Sequence, residues 1–221
     1  ITLPHLAALT PPPHTVKIIN ENFEDVSVSE PADLVGITSY TMTAPRVYEL
    51  ADEFRRHGKK VVLGGYHPTA MPAEAKEHAD SVVLGEAEAT WPLVISDAMN
   101  GTLQPFYGPA PDFDMNKIPA IRRDLIRQNP FIGAVQSTRG CPNKCEFCAI
   151  ASFCQHGVKQ RPIKDVALEI KNMPNPIYVF HDPSLTVNPP YTRELMKELL
   201  RLHVHKGWVG NGNANVLGMV D

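Results

Sequence analysis

The sequence contains no run of eighteen or so apolar residues, so no segment reads as a helix long enough to span a bilayer. It has no basic excess either. Its 21 lysines and arginines stand against 24 aspartates and glutamates, and a net charge of -3 offers no field for nucleic acid or an anionic membrane surface. No signal-peptide pattern stands at its start. There are only 4 cysteines, three of them crowded together, which is no disulfide framework. Such thiols have to stay reduced, so the expected compartment is the cytoplasm. Proline is not scarce, at 21 residues, but it gathers at element boundaries and in one connector rather than marking disorder. A length of 221 residues admits one large or two modest domains.

The first residue is Ile rather than Met, and Leu3, Leu6 and Ala7 already form the apolar face of a helix. At the other end a strand at Gly207–Val209 is followed by little more text. The expectation is a piece of a longer polypeptide that lacks its first strand.

The first half reads as α/β. Short apolar runs at Val16–Ile19, Leu34–Thr38, Val61–Leu63 and Val82–Leu84 suit buried parallel strands. Between the second and third, Val47, Leu50, Ala51 and Phe54 recur at helical spacing, with Pro45 in the first turn and Gly58 at the stop. Strands alternating with helices over short connections predict a doubly wound open sheet. Ligands on such sheets sit beyond the carboxyl ends of strands, at a switch in strand order. The segments there are Thr38-Ser39-Tyr40-Thr41, Gly64-Gly65-Tyr66-His67-Pro68-Thr69 and Gly85-Glu86-Ala87-Glu88. A diglycine allows a flat ligand close to the backbone, and small hydroxyls offer donors without bulk. Ordinary strand-end turns explain the same residues, and His67 beside Pro68 reads as a loop residue rather than a ligand.

Residues 109–131 form a proline-rich linker in which Arg122, Arg123 and Arg127 read as a solvated face. From Phe131 the pattern restarts. Strand Ile132–Gln136, helix 165–173, strand Ile177–Phe180, helix 191–204 and strand Gly207–Val209 repeat a βα unit, which predicts a parallel barrel with its chemistry at strand ends.

The densest signal follows the first of those strands. Cys141, Cys145 and Cys148 fall in RGCPNKCEFC, with three and then two residues between them. Three thiolates so close can hold three corners of a [4Fe–4S] cube and leave one iron open. Structural zinc sites favour paired ligands, and no second pair stands elsewhere. Cys154 reads as a small buried thiol, and His203 and His205 as helix-end charges.

Cys141-Pro142-Asn143-Lys144-Cys145-Glu146-Phe147-Cys148 resembles the CxxxCxΦC signature, Φ aromatic, of the radical S-adenosylmethionine (SAM) superfamily. The flanking VQSTRGCPNKCEFCAIASF and QRP are similar to the subset with an N-terminal cobalamin-binding domain. So are LVGITSYT, VVLGGYHPTAMP and VLGEAEATW, over most of residues 1–100. The resemblance implies a doubly wound, Rossmann-like or flavodoxin-like cobalamin domain at 1–108. After the linker it implies the first half of a (β/α)6 partial barrel at 132–221. It implies three cofactors: a [4Fe–4S] cluster on Cys141, Cys145 and Cys148, SAM, and cobalamin. Phe147 would lie beside the adenine, and Asp182 would help hold the SAM amino group or ribose. Ser39, Thr41, Gly64 and Gly65 would border the corrin or its nucleotide tail.

Two departures stand out. No D-x-H-x-x-G loop is present, so cobalt would lack a histidine on its lower face. His181 replaces the first of two acidic residues usual in the family, and it reads as a packed, hydrogen-bonded side chain. The implied reaction is reductive cleavage of SAM to a 5′-deoxyadenosyl radical, used for methyl transfer to an unactivated carbon. The partners are a small-molecule substrate and a reducing protein such as flavodoxin or ferredoxin. A cyclisation or rearrangement without methyl transfer is the alternative chemistry, and a cobalamin and iron–sulfur redox sensor is the alternative class.

Overall fold

Alternation along the strands decides how the first sheet is covered. In the computed structural model, which describes residues 1–110, 113–126, 131–143, 145–154 and 157–218, the chain divides into two compact units. The first comprises Thr2–Phe113 with Ile121–Leu125. It opens with α1 (Thr2–Leu9), then runs β1 (Leu34–Thr38), α2 (Ala44–Arg56), β2 (Lys60–Gly64), α3 (Tyr66–Ala70) and α4 (Pro72–Glu77). It ends with β3 (Ser81–Val83), α5 (Trp91–Asn100) and β4 (Phe106–Tyr107). The four strands are parallel, in the order β1-β2-β3-β4.

Val61, Leu63 and Val82 point to one face and pack with Val47, Leu50, Ala51 and Phe54 of α2 and with Ala75 and Ala79. Val62 and Val83 point to the other and meet Trp91, Val94, Ile95 and Tyr107, with Leu6 and Leu9 of α1 alongside. Helices thus cover both faces, as the doubly wound reading requires. Each large side chain so buried contributes roughly 1.5–3 kcal/mol. Helix α2 ends at Arg56 with His57 as its cap, and Gly58 follows in the left-handed conformation at φ 75°, the stop expected from the sequence.

Two expectations are corrected here. Val16–Ile19 joins no ladder among the described residues, because a short apolar run qualifies a segment as a strand without supplying a neighbour to pair with. The order of the paired strands is consecutive, so among the described residues no reversal marks a switch point.

The second unit gathers Ile1, Asp114–Ala120 and Ile126–Asp221. Its elements are β5 (Ile132–Val135), β6 (Thr138–Arg139), α6 (Ile150–Phe153), β7 (Lys159–Gln160), α7 (Ile163–Asn172) and β8 (Ile177–Phe180). They continue with α8 (Pro189–Arg201), β9 (Gly207–Gly210) and α9 (Ala214–Leu217). Strands β5, β8 and β9 form a parallel sheet in that order, and β6 with β7 makes an antiparallel ribbon. Tyr178 and Phe180 share a face with Val135 and bury against Val166 and Ile170 of α7 and Leu195 and Leu199 of α8. The βα repeat is that of a partial barrel. The 109–131 segment is shared: Arg122 N–H donates to Pro4 C=O at 3.0 Å in the first unit, while Asp114–Ala120 goes with the second. Arg122 pairs with Asp124 at 2.8 Å on the surface, and Arg127 lies outside the described residues. Among the described residues no helix is long and apolar enough to cross a membrane.

Candidate functional site

At the carboxyl edge of the first sheet the strand-end loops are laced together. Ser39 N–H donates to Gly64 C=O at 3.1 Å, and His67 N–H donates to Ser39 C=O at 3.3 Å. The Thr69 hydroxyl donates to Gly65 C=O at 2.7 Å and accepts from Gly85 N–H at 2.9 Å, which ties in the loop after β3. Nothing in the sequence singled out Thr69, since its role depends on a glycine sixteen residues away in the chain.

The diglycine separates into two roles. Gly65 sits at φ 100°, and a Cβ there would lie 2.6 Å from Thr38 Oγ1 and 2.9 Å from Ser39 O, so the fold itself requires glycine. A Cβ on Gly64 would meet only ordinary contacts at 3.7 Å, all with Val83. Packing does not demand its bareness.

Ser39 is 3% exposed, and its hydroxyl has no hydrogen-bond partner among the described residues. Leaving such a group unsatisfied costs about 1–3 kcal/mol, so it marks a place that a polar ligand group can complete. Beside it Tyr40, 60% exposed, stacks on Tyr66 with centroids 5.6 Å apart, and Met42 is 87% exposed. Exposed flat rings and a pliable thioether in the segments that follow β1 and β2 have the chemistry to pack on a large planar ligand such as a corrin.

His67, expected as a loop residue, is a buried member of α3. Tyr48 of α2 and Glu74 of α4 close over it, with Nε2 3.0 Å from the Tyr48 hydroxyl and 3.2 Å from Glu74 Oε1. Its Nδ1 lies 3.3 Å from Thr41 Oγ1. Burial first, then the Glu74 carboxylate, pushes the Tyr48 phenol up to about 12. Hydrogen bonds from Tyr48 and His67 hold the Glu74 carboxyl below its usual range.

In the second unit the root of the cysteine loop is fastened from below. Ser137 N–H donates to Asp182 Oδ1 at 2.7 Å, and the Ser137 hydroxyl donates to Oδ2. Burial pushes the Asp182 carboxyl up, opposed by the hydrogen bonds from Ser137 and Thr138. Both oxygens of Asp182 therefore face the chain's own donors, and the residue is 1% exposed. Tyr191 O–H donates to Arg161 C=O at 2.8 Å, and Arg161 N–H donates to Ser137 C=O at 3.0 Å. The Arg161 guanidinium reaches Gln136 C=O at 2.9 Å and Glu169 at 2.7 Å. His181, expected to be packed, has its side chain exposed at the end of β8, because its strand position alternates away from the core-facing Phe180. Its N–H donates to Val135 C=O at 2.8 Å. The loop after β9 is tied in by Leu185 N–H to Asn211 C=O at 2.7 Å and by Asn213 N–H to Thr186 Oγ1 at 2.9 Å.

Gly140, at φ 83°, starts the cysteine loop against the other side of the ribbon; a Cβ there would fall 1.9 Å from Gly157 O. Cys145 is exposed, Cys141 and Cys148 are partly so, and Cys154 is buried. Cys148 N–H donates to Cys145 C=O at 3.0 Å, forming one turn. Among the described residues no three His, Cys, Asp or Glu side chains close to metal-holding distance. The donor set nonetheless has the chemistry of an iron–sulfur site: three thiols in one loop, reachable by solvent. Phe147, 92% exposed, offers a bare aromatic face in the same loop.

Residues 8–95 match the B12 binding domain family. The chain is 40% identical over 159 residues to the bacteriochlorophyllide d C-8(2)-methyltransferase of Chlorobaculum tepidum, covering 67% of this chain and 35% of that protein. It is 28% identical over 201 residues to the C-12(1)-methyltransferase of the same organism, covering 84% and 43%. A B12-binding domain thus occupies the larger part of the first unit. In fold the chain is similar to a radical SAM methyltransferase, TsrM from Kitasatospora setae, solved with cobalamin and a [4Fe-4S] cluster. The TM-score is 0.60 at 15% identity, over 80% of this chain and 43% of that one. The chain thus spans 35% and 43% of the two curated relatives' lengths.

Proposed function

We propose that this chain is the cofactor-binding part of a cobalamin-dependent radical SAM methyltransferase. One observation carries the reading: a CxxxCxΦC loop stands at the carboxyl end of β5, in a parallel βα sheet, on the same chain as a B12-binding domain. When bound, the cluster supplies one-electron reductive cleavage of SAM, and cobalamin supplies a methyl group for an unactivated carbon.

The chain's own residues bind and orient. Cys141, Cys145 and Cys148 would ligate iron as thiolates, leaving one iron for SAM. Phe147 would pack its exposed ring beside the adenine. Asp182 would act on that site through Ser137, holding the loop in place rather than touching SAM directly. At the other edge Ser39 and Thr41 would hydrogen-bond corrin amides, and Gly64 and Gly65 would keep the backbone low beneath them. A reducing protein such as flavodoxin or ferredoxin would deliver the electron, and the enzyme would work in the cytoplasm, where thiols stay reduced. The substrate would be a small molecule. Two relatives are named for bacteriochlorophyllide d, so that macrocycle is the first to assay.

The test is an anaerobic incubation of the full-length protein with methyl-labelled SAM, hydroxocobalamin, a reductant and bacteriochlorophyllide d among other macrocycles. 5′-Deoxyadenosine together with labelled product is expected. 5′-Deoxyadenosine with an unlabelled, rearranged product would replace methyl transfer by ring or skeletal chemistry. Failure to cleave SAM under any condition would contradict the enzyme assignment.

A further inference from the structure

The buried His67 has no part in the reading above, yet it joins the corrin edge to the far side of α2 and α4. Its two ring nitrogens face different chemistry. Nε2 lies 3.2 Å from a Glu74 carboxylate oxygen and 3.0 Å from the Tyr48 hydroxyl, while Nδ1 lies 3.3 Å from Thr41 Oγ1. An ionised carboxylate only accepts hydrogen bonds. A bare Nε2 would therefore set lone pair against lone pair at 3.2 Å in a site where His67 is 6% exposed. Nε2 accordingly carries the hydrogen, and in the neutral ring Nδ1 is left as an acceptor. Among the described residues the donor beside it is the Thr41 hydroxyl.

We infer that His67 is a positioning residue that fixes the hydrogen-bond polarity of Thr41: its Nδ1 accepts a hydrogen bond from the Thr41 hydroxyl and leaves that oxygen to accept from an amide N–H of the bound cofactor. The inference rests on the cobalamin reading. It explains why an imidazole is buried here with both nitrogens engaged, and why Tyr48 and Glu74 from two helices converge on it. Tyr48 is itself clamped, its ring stacked on His78 at 4.2 Å, with His78 Nδ1 2.8 Å from Asp52. Glu74, 45% exposed, is the end of the chain of contacts that meets solvent.

Two measurements on the full-length protein test it. The imidazole 15N spectrum is expected to show hydrogen on Nε2 and none on Nδ1; hydrogen on Nδ1, alone or on both nitrogens, would overturn the assignment. The second is a double-mutant cycle on hydroxocobalamin affinity. Glutamine places its amide near the Nε2 position and reaches Tyr48 and Glu74, but has nothing at Nδ1. His67→Gln and Thr41→Val are each expected to weaken binding about five- to tenfold, the worth of one hydrogen bond. The double variant is expected to be no weaker than either alone. Losses that multiply, or a His67→Gln protein with unchanged affinity, would overturn the proposal. Should His67→Gln fail to fold, the wild-type spectrum and Thr41→Val against Thr41→Ser still decide it: serine keeps wild-type affinity on this account, and serine as weak as valine contradicts it. A wild-type protein that takes up no hydroxocobalamin would instead bring down the cobalamin reading itself.

Discussion

The two candidate cofactor edges differ in how much of each is built by the chain. At the end of the first sheet, three loops are laced by backbone bonds and by Thr69, Gly65 is locked in place by its neighbours, and one buried hydroxyl, Ser39, stands ready. At the end of β5 the described contacts gather at the root. Asp182, Tyr191 and Arg161 hold Ser137, while the thiols beyond it are partly or fully exposed and joined by a single described turn. The contrast follows from the ligands. A large neutral macrocycle gains most from a shape prepared in advance. A cluster forms bonds strong enough to organise the loop that ligates it.

Four substitutions and a titration sharpen or break that comparison. The largest effect is expected from Cys145→Ala, which should abolish cluster assembly and SAM cleavage while leaving cobalamin uptake intact; iron analysis and 5′-deoxyadenosine assay read it. Full cleavage by that variant would sink the thiolate assignment. Next comes Gly65→Ala, which forces a side chain into φ 100° and into the Ser39 carbonyl. It should cost the first unit about 1–3 kcal/mol or more in chemical denaturation and impair cobalamin uptake. Gly64→Ala should cost less than about 1 kcal/mol, and equal losses at the two positions would erase the distinction drawn between them.

Asp182→Asn keeps the shape but trades an acceptor for a donor facing Ser137. A loss of about 1–3 kcal/mol is expected, with iron content falling and cobalamin uptake unchanged. Wild-type stability and iron content in this variant would mean that the root of the loop needs no carboxylate. The smallest effect is alkaline. Tyr48, Tyr178 and Tyr191 are each pushed up to about 12, burial being the first cause. Because the folded state holds these protons more tightly, their contribution is complete below the ordinary tyrosine range near 10 and is lost as pH rises through about 12. Ultraviolet titration should show them ionising after the exposed tyrosines, with unfolding following. Ionisation of all tyrosines near 10 in a still-folded protein would contradict the packing described.

The sequence reading succeeded where a pattern is local. Leu34–Thr38 and Ile177–Phe180 are strands to the residue, and the stop of α2 at Gly58 follows from one glycine. It failed where structure depends on a partner. Val16–Ile19 is as apolar as a strand but pairs with nothing described, whereas Thr138–Arg139 and Lys159–Gln160 are too short to carry a period and exist only through each other. The site divides the same way. Three cysteines in eight residues announce themselves. The Ser137–Asp182 latch spans 45 residues and is visible only once β5 and β8 are neighbours, so no sequence pattern announces it.

The most direct test of the central claim is an anaerobic ultraviolet–visible spectrum with iron, sulfide and cobalt analysis, on full-length protein reconstituted with iron, sulfide and hydroxocobalamin. About four irons and about one cobalt per chain are expected, with cobalt retained and iron lost in Cys145→Ala. A protein that takes up neither metal would contradict the account at both edges.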